Sequence, residues 1–109
     1  MSDKIKFKDW EKMDLRVGTI VKAEHHPDAD KLYVLKIDLG DEERTVVAGI
    51  RKAYTVKELI GKRVVVFANL EPAILRGIKS EGMVLAAVKD DKVVLLTAED
   101  KIENGAKIR

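Results

Sequence analysis

Thr55-Val56-Lys57-Glu58-Leu59-Ile60-Gly61 decides how this chain folds. A threonine followed three residues later by glutamate is the spacing of a capping box, in which each side chain satisfies the other residue's backbone N–H. Val56, Leu59 and Ile60 supply an apolar side, and Gly61 stands where a left-handed residue ends a helix. This is the only convincing helix in the chain, it is short, and strands flank it on both sides. Upstream, Arg44 to Ala48 reads as a third strand, joined through Gly40-Asp41-Glu42-Glu43 to a second strand over Lys31 to Leu39. In that second strand Tyr33, Leu35, Ile37 and Leu39 point inward, and Lys36 and Asp38 outward. Earlier still, Leu15, Val17, Thr19, Val21 and Ala23 fall on one side of a first strand, with Gly18 marking a bend or bulge. Downstream, Arg63 to Leu70 forms a nearly continuous apolar fourth strand, and Met83 to Val88 a fifth. Asp90-Asp91 is then a tight turn before a returning strand over Lys92 to Thr97.

Three strands, a short helix and further strands give an all-β, five-stranded Greek-key barrel of the OB type, with the helix between strands three and four plugging one end. The 109 residues form one domain, residues 1–109, with an N-terminal arm over 1–13 and a C-terminal extension over 98–109. One helical turn is expected from Asp9, with its carboxylate as cap. A hydrophobic fraction of 46% supports a core, and the absence of cysteine rules out a disulfide framework and suits a reducing interior. No apolar run approaches the roughly 20 residues of a membrane span and no signal-peptide core follows Met1, so a cytoplasmic protein is expected. Charged residues make up 37% of the chain, glutamine is absent, and Asn69 and Asn104 are its only asparagines, a mix typical of thermophilic proteins. The net charge of +2 is small, so any binding of nucleic acid requires Lys and Arg gathered on one face.

The stretch Asn69 to Ala87, NLEPAILRGIKSEGMVLAA, least resembles core sequence. Arg76, Lys79 and Ser80 beside Gly77 and Gly82 suit a loop that contacts a nucleic-acid backbone, because the cations meet phosphate and the glycines allow close approach. Pattern alone leaves an ordinary solvated charge cluster equally open. Tyr33, Trp10 and Phe67 read as buried aromatics, which leaves Tyr54 for stacking. Ser80 does not sit in a G-x-S-x-G elbow, and Gly77-Ile78-Lys79-Ser80 lacks the glycine spacing of a phosphate loop, so no catalytic constellation is present. His25 and His26 are adjacent, point to opposite sides of an extended chain and have no second ligand cluster, so no metal and no cofactor is expected.

Several blocks, in order, resemble the tRNA-binding domain family of OB-fold modules. That family includes stand-alone dimeric tRNA-binding proteins, the C-terminal domain or β subunit of methionyl-tRNA synthetases, and EMAP-II-like domains. The blocks are Asp14-Leu15-Arg16-Val17-Gly18, His26 to Leu32, Val47-Ala48-Gly49-Ile50, and Tyr54 to Gly61. Further on come Asn69-Leu70 with Pro72, Leu75-Arg76-Gly77, Ser80 to Met83 and Leu85-Ala86-Ala87. The resemblance implies a non-enzymatic module that binds tRNA by shape and backbone, as an accessory to methionyl-tRNA synthetase. Carried over are Lys31 and Arg76 for phosphate, Asn69 and Ser80 for polar contacts, and Met83 either as packing for a base or as core. Lys79, Arg51 and Lys52 join them from charge and position. The family commonly has a basic residue where Ile74 stands, and often one near Ala73, so this loop carries less positive charge. The intact His26–Leu32 turn argues against the related chaperone-like family, although a protein-interaction, scaffolding or chaperone-like module remains the alternative. The resemblance also implies a homodimer. Ile5, Phe7 and Trp10 at one end, with Ile102 and Ile108 at the other, lack partners in a minimal barrel and are the expected interface.

Overall fold

A single helical turn, α1 (Phe7–Trp10), leads into an antiparallel meander of β1 (Leu15–His25), β2 (Tyr33–Asp38) and β3 (Glu43–Ala48) in the computed structural model, which describes residues 3–109. Period-two alternation builds the meander. Tyr33, Leu35 and Ile37 of β2 are buried, and Lys36 between them faces solvent. After β3 comes α2 (Val56–Leu59), then β4 (Arg63–Phe67), which returns beside β1 with Leu15 opposite Phe67. The five-stranded sheet has the order β3-β2-β1-β4-β7, where β7 is Met83–Val84. Two small hairpins stand outside it, β5 (Ala73–Leu75) with β6 (Ile78–Ser80), and β8 (Ala86–Lys89) with β9 (Lys92–Leu95). Ile20, Leu35, Ile37, Val46, Leu59, Val64 and Val66 fill the core.

The capping box is complete. The Glu58 N–H donates to Thr55 Oγ1 at 3.2 Å, and the Thr55 N–H donates to Glu58 Oε1 at 2.9 Å. The Thr55 N–H and hydroxyl, both donating to Glu58 Oε1, hold the Glu58 carboxyl below its ordinary range. Leu59 is fully buried, worth about 2 kcal/mol of apolar transfer. Ile60, expected on the same side, is exposed, because the chain turns extended there and Gly61 adopts φ 90°. Asp9 is not a cap: α1 begins two residues earlier, with Lys6 at the cap position and no side-chain bond.

The barrel is nearly closed, and its seam lies between β3 and β7. The Glu81 N–H donates to the Thr45 carbonyl at 2.8 Å, and the Val47 N–H donates to Ser80 Oγ at 2.9 Å. One side-chain oxygen thus replaces a rung of backbone ladder.

Four expectations are corrected by register. The first strand does not keep one alternation: a bulge between Ile20 and Lys22 brings Ala23 onto the same inner face as Ile20 and leaves Val21 42% exposed. Gly18 is not the bulge; it is buried where a Cβ would come within 2.7 Å of the Ile37 side chain. The expected fifth strand breaks at Leu85, since β7 pairs with β4 whereas β8 leaves the barrel to pair with β9. Phe67 and Trp10 are half-buried rather than buried.

Both extensions are tied to the barrel. The Ile108 N–H donates to the Leu15 carbonyl at 2.8 Å, and the Val17 N–H donates to the Ala106 carbonyl at 2.9 Å, so the tail lies along the first residues of β1. Asn69 holds the arm: its Oδ1 accepts from the Asp14 N–H at 2.7 Å, and its Nδ2 donates to the Lys12 carbonyl at 2.6 Å.

Candidate nucleic-acid interface

The segment between β4 and β7 is a structured hairpin. Leu75 pairs with Ile78, so Arg76 and Gly77 form a two-residue turn, with φ 52° and 89°. Positive φ at both central residues is the type I′ geometry that matches the twist of paired strands, and glycine adopts it without strain. Pleating divides the side chains. Ser80 is buried and Ala73, Leu75 and Ser80 line the inner face, while Ile74, 73% exposed, lies opposite Lys79 on the outer face.

The hairpin tip is fastened to the turn between β1 and β2. His26 is 4% exposed; its Nε2 lies 3.0 Å from the Leu75 carbonyl, and its Nδ1 accepts from the Asp28 N–H at 3.0 Å. A carbonyl can only accept, so Nε2 donates to it. The Arg76 Nη2 donates to the Asp28 carbonyl at 3.3 Å, and from the other side the Arg51 Nη1 donates to the Asp30 carbonyl at 2.6 Å. At the base of the hairpin, Arg44 donates to the carbonyls of Ala68 and Glu81 and to Glu42. That last bond holds the Glu42 carboxyl below its ordinary range.

Lys31, Arg51, Lys52 and Arg76 therefore gather around one turn. Lys31 and Lys52 share a cleft of about 210 Å³ with Asp91, and Lys79 lies one residue pair behind Arg76. Among the described residues none of these five cations forms an ion pair with a carboxylate. Under the hairpin runs a second cleft of about 330 Å³, mostly apolar, walled by Leu70, Leu75, Met83 and Val84.

Asn69 and Ser80 are placed differently from the polar contacts expected of them. Asn69 spends its amide on the arm, and Ser80, 4% exposed, accepts from Val47 and donates to the Gly82 carbonyl at 3.0 Å. Both shape the loop from within. Tyr54, expected to be free for stacking, is half-buried, and its hydroxyl accepts from the Leu95 N–H at 3.0 Å. His25 and His26 diverge, since His25 sets its ring edge against Tyr33 at 5.4 Å. Among the described residues no cluster of three or more metal-ligating side chains occurs. Sequence reasoning missed His26 and Arg44 as fasteners: His26 lies between His25 and Pro27 in a turn, Arg44 between Glu43 and Thr45, and neither local pattern announces a distant partner.

The expected dimer residues do not form one patch. Phe7, Trp10 and Ile108 line a groove of about 330 Å³, Ile102 lines a separate cleft beside Leu39 and Asp41, and Ile5 is exposed. No helix among the described residues is long and apolar enough to cross a membrane.

A closed small barrel with a fastened, cationic hairpin at one end is an OB-fold module built for nucleic acid. Residues 15–107 match the sequence model of the family described as "Putative tRNA binding domain", and the chain belongs to that family. It is 55% identical over 105 residues to the methionine–tRNA ligase of Pyrococcus abyssi, covering 96% of this chain and 14% of the ligase. The chain thus spans about one seventh of the length of such relatives. Among solved structures it superposes on a MetRS-related protein from Pyrococcus horikoshii with TM-score 0.93 and 33% identity, covering 99% of this chain and all of that one. The chaperone CsaA from Bacillus anthracis superposes with TM-score 0.89 and 36% identity, covering 98% and 100%.

Proposed function

We propose that this chain binds tRNA without catalysing a reaction, serving a methionyl-tRNA synthetase in the cytoplasm as an accessory module. The observation that carries the reading is the convergence of Lys31, Arg51, Lys52 and Arg76 on one turn, free of carboxylate partners among the described residues. Such a rim meets phosphates at intervals along a folded RNA and reads no base edge directly. Lys79 extends the rim along the hairpin. Ile74 and Ala73 reduce its charge and leave an apolar strip beside it. Ser80 and Asn69 enter as residues that hold the loop, and Met83 as an apolar wall.

The test is a salt-titrated binding assay with whole tRNA, duplex RNA and a single-stranded oligonucleotide. Affinity for whole tRNA should fall log-linearly with salt, by orders of magnitude between about 50 and 200 mM, and exceed that for the other two. Equal affinity for all three polymers reduces the reading to generic nucleic-acid binding.

The same module pairs as a homodimer through the groove at Phe7, Trp10 and Ile108, while Ile5 and Ile102, also expected at the interface, lie outside that groove. Exposed apolar side chains around a groove support this, since Phe7 is 71% exposed. Two copies double the cationic surface offered to one RNA. Light scattering on Phe7→Glu should give half the mass of the wild type, and a wild type that already scatters as a monomer ends the proposal.

A further inference from the structure

We infer that Gly49 and Ile50 form the ridge of a single-nucleotide subsite, with an unstacked base in the apolar cleft on one side and its phosphate against Lys31 and Lys52 on the other. The inference rests on the tRNA-binding reading and adds where one nucleotide sits. The two clefts share Gly49 and Ile50 in their walls, so they lie on either side of that pair of residues. One cleft is apolar and about 330 Å³, at the lower end of the roughly 300–1,000 Å³ of small-molecule sites. That suits a flat ring system between aliphatic walls, and Met83, 43% exposed, supplies a polarisable, adaptable surface for its face. Glu71 and Ser80 are the polar side chains in that lining. The other cleft offers two ammonium groups against the single carboxylate of Asp91, leaving it net cationic.

Gly49 makes the argument specific. It is exposed, its φ lies outside the left-handed region, and an added Cβ would meet only Leu32 Cδ2 at 3.7 Å, an ordinary contact. Neither backbone conformation nor packing requires glycine there. A side chain at this position would stand between base and phosphate, whereas its absence lets a sugar-phosphate cross the ridge closely. The charge of the second cleft favours a nucleotide over an apolar peptide at this ridge.

A Cβ at Gly49 meets only Leu32 Cδ2 at 3.7 Å, so Gly49→Leu should melt near the wild type yet bind whole tRNA about ten-fold or more weakly, with a salt slope lower by about one as the phosphate at Lys31 and Lys52 is displaced. Lys31→Gln and Lys52→Gln should each lower that slope by about one. Hexauridylate should bind the full chain about ten-fold tighter than an abasic hexamer of the same backbone. Ala73→Phe, at an exposed position on the opposite wall, repeats the blockade should Gly49→Leu fold poorly. Folded Gly49→Leu and Ala73→Phe proteins that bind tRNA like the wild type overturn the subsite alone. Equal binding of the intact and abasic hexamers overturns it too, and displacement of hexauridylate by a leucine-rich hexapeptide then assigns the cleft to a protein partner. A wild type that binds no tRNA at any salt removes the underlying reading and the subsite with it.

Discussion

Two hairpins of this molecule use the same device with opposite charge. In β8–β9, Lys89 pairs with Lys92 and the turn between them is Asp90-Asp91, with Asp90 at φ 54°. In β5–β6, Leu75 pairs with Ile78 and the turn is Arg76-Gly77, with Arg76 at φ 52°. Aspartate tolerates the left-handed region because its short carboxylate bonds locally, and Asp90-Asp91 also balances the two lysines beside it. Arginine has no such excuse: its long side chain gains nothing from that backbone, which costs of order 1 kcal/mol. Asparagine would suit the turn better. A cation is kept at the tip of one hairpin against local preference, whereas the other carries what its turn favours. The difference supports the proposed site at β5–β6, and the β8–β9 turn carries no comparable sign.

The hardest blow to that comparison is His26→Ala. It should unfasten the β5–β6 tip by removing a buried ring and stranding the Leu75 carbonyl and the Asp28 N–H, costing about 2–4 kcal/mol in urea denaturation. Hydrogen exchange should quicken in β5–β6 and stay unchanged in β8–β9; a uniform change across both would erase the asymmetry. Ser80→Ala should cost about 1–2 kcal/mol by leaving the Val47 N–H unpaired at the seam. Measured at a temperature where the variant is fully folded, its tRNA affinity should match the wild type. A loss of affinity there would return Ser80 to the RNA contacts.

Arg76→Gly sharpens the contrast, because stability and binding should move in opposite directions. Relief of the left-handed strain, of order 1 kcal/mol, should outweigh glycine's entropy cost and the lost exposed bond to the Asp28 carbonyl and raise stability slightly, and loss of the cation should lower the salt slope for tRNA by about one. Asp90→Gly should change stability less and leave tRNA binding alone. A cluster far from both turns supplies the smallest effect and a control. Arg16, by hydrogen bond first and by charge second, holds the Asp14 carboxyl below its ordinary value of 3.8. A depressed carboxylate contributes stability that is present above 3.8 and is lost as pH falls through the lower, folded value. Urea midpoints from pH 6 downward should show wild type and Arg16→Met converging in acid, with no effect on either hairpin.

What could be read from the chain follows the same division between local and distant causes. The capping box at Thr55 and Glu58 and the alternation of Tyr33, Leu35 and Ile37 are local patterns, and both appear in the fold as expected. The bulge at Ile20 and Lys22 was not legible, since it depends on how β2 and β4 share β1 along its length. The β5–β6 hairpin read as a loop because its turn breaks the residue preference that would have announced it. For the site, Arg76 was proposed from its glycine-flanked loop, Arg51 and Lys52 from charge and position, and Lys31 only through the family resemblance. The inward engagement of Asn69 and Ser80 needed partners that lie 55 and 33 residues away in sequence.

The seam at Ser80 bears on how the protein behaves in a crowd. β3 is an edge strand, and an edge with open N–H and C=O groups invites the strand of another molecule. Here the Val47 N–H is taken by a hydroxyl and the Thr45 carbonyl by the Glu81 N–H, so the edge is sealed along its middle without a full companion strand. Those two bonds leave fewer open backbone groups on β3 for edge-to-edge pairing with the strand of a second copy.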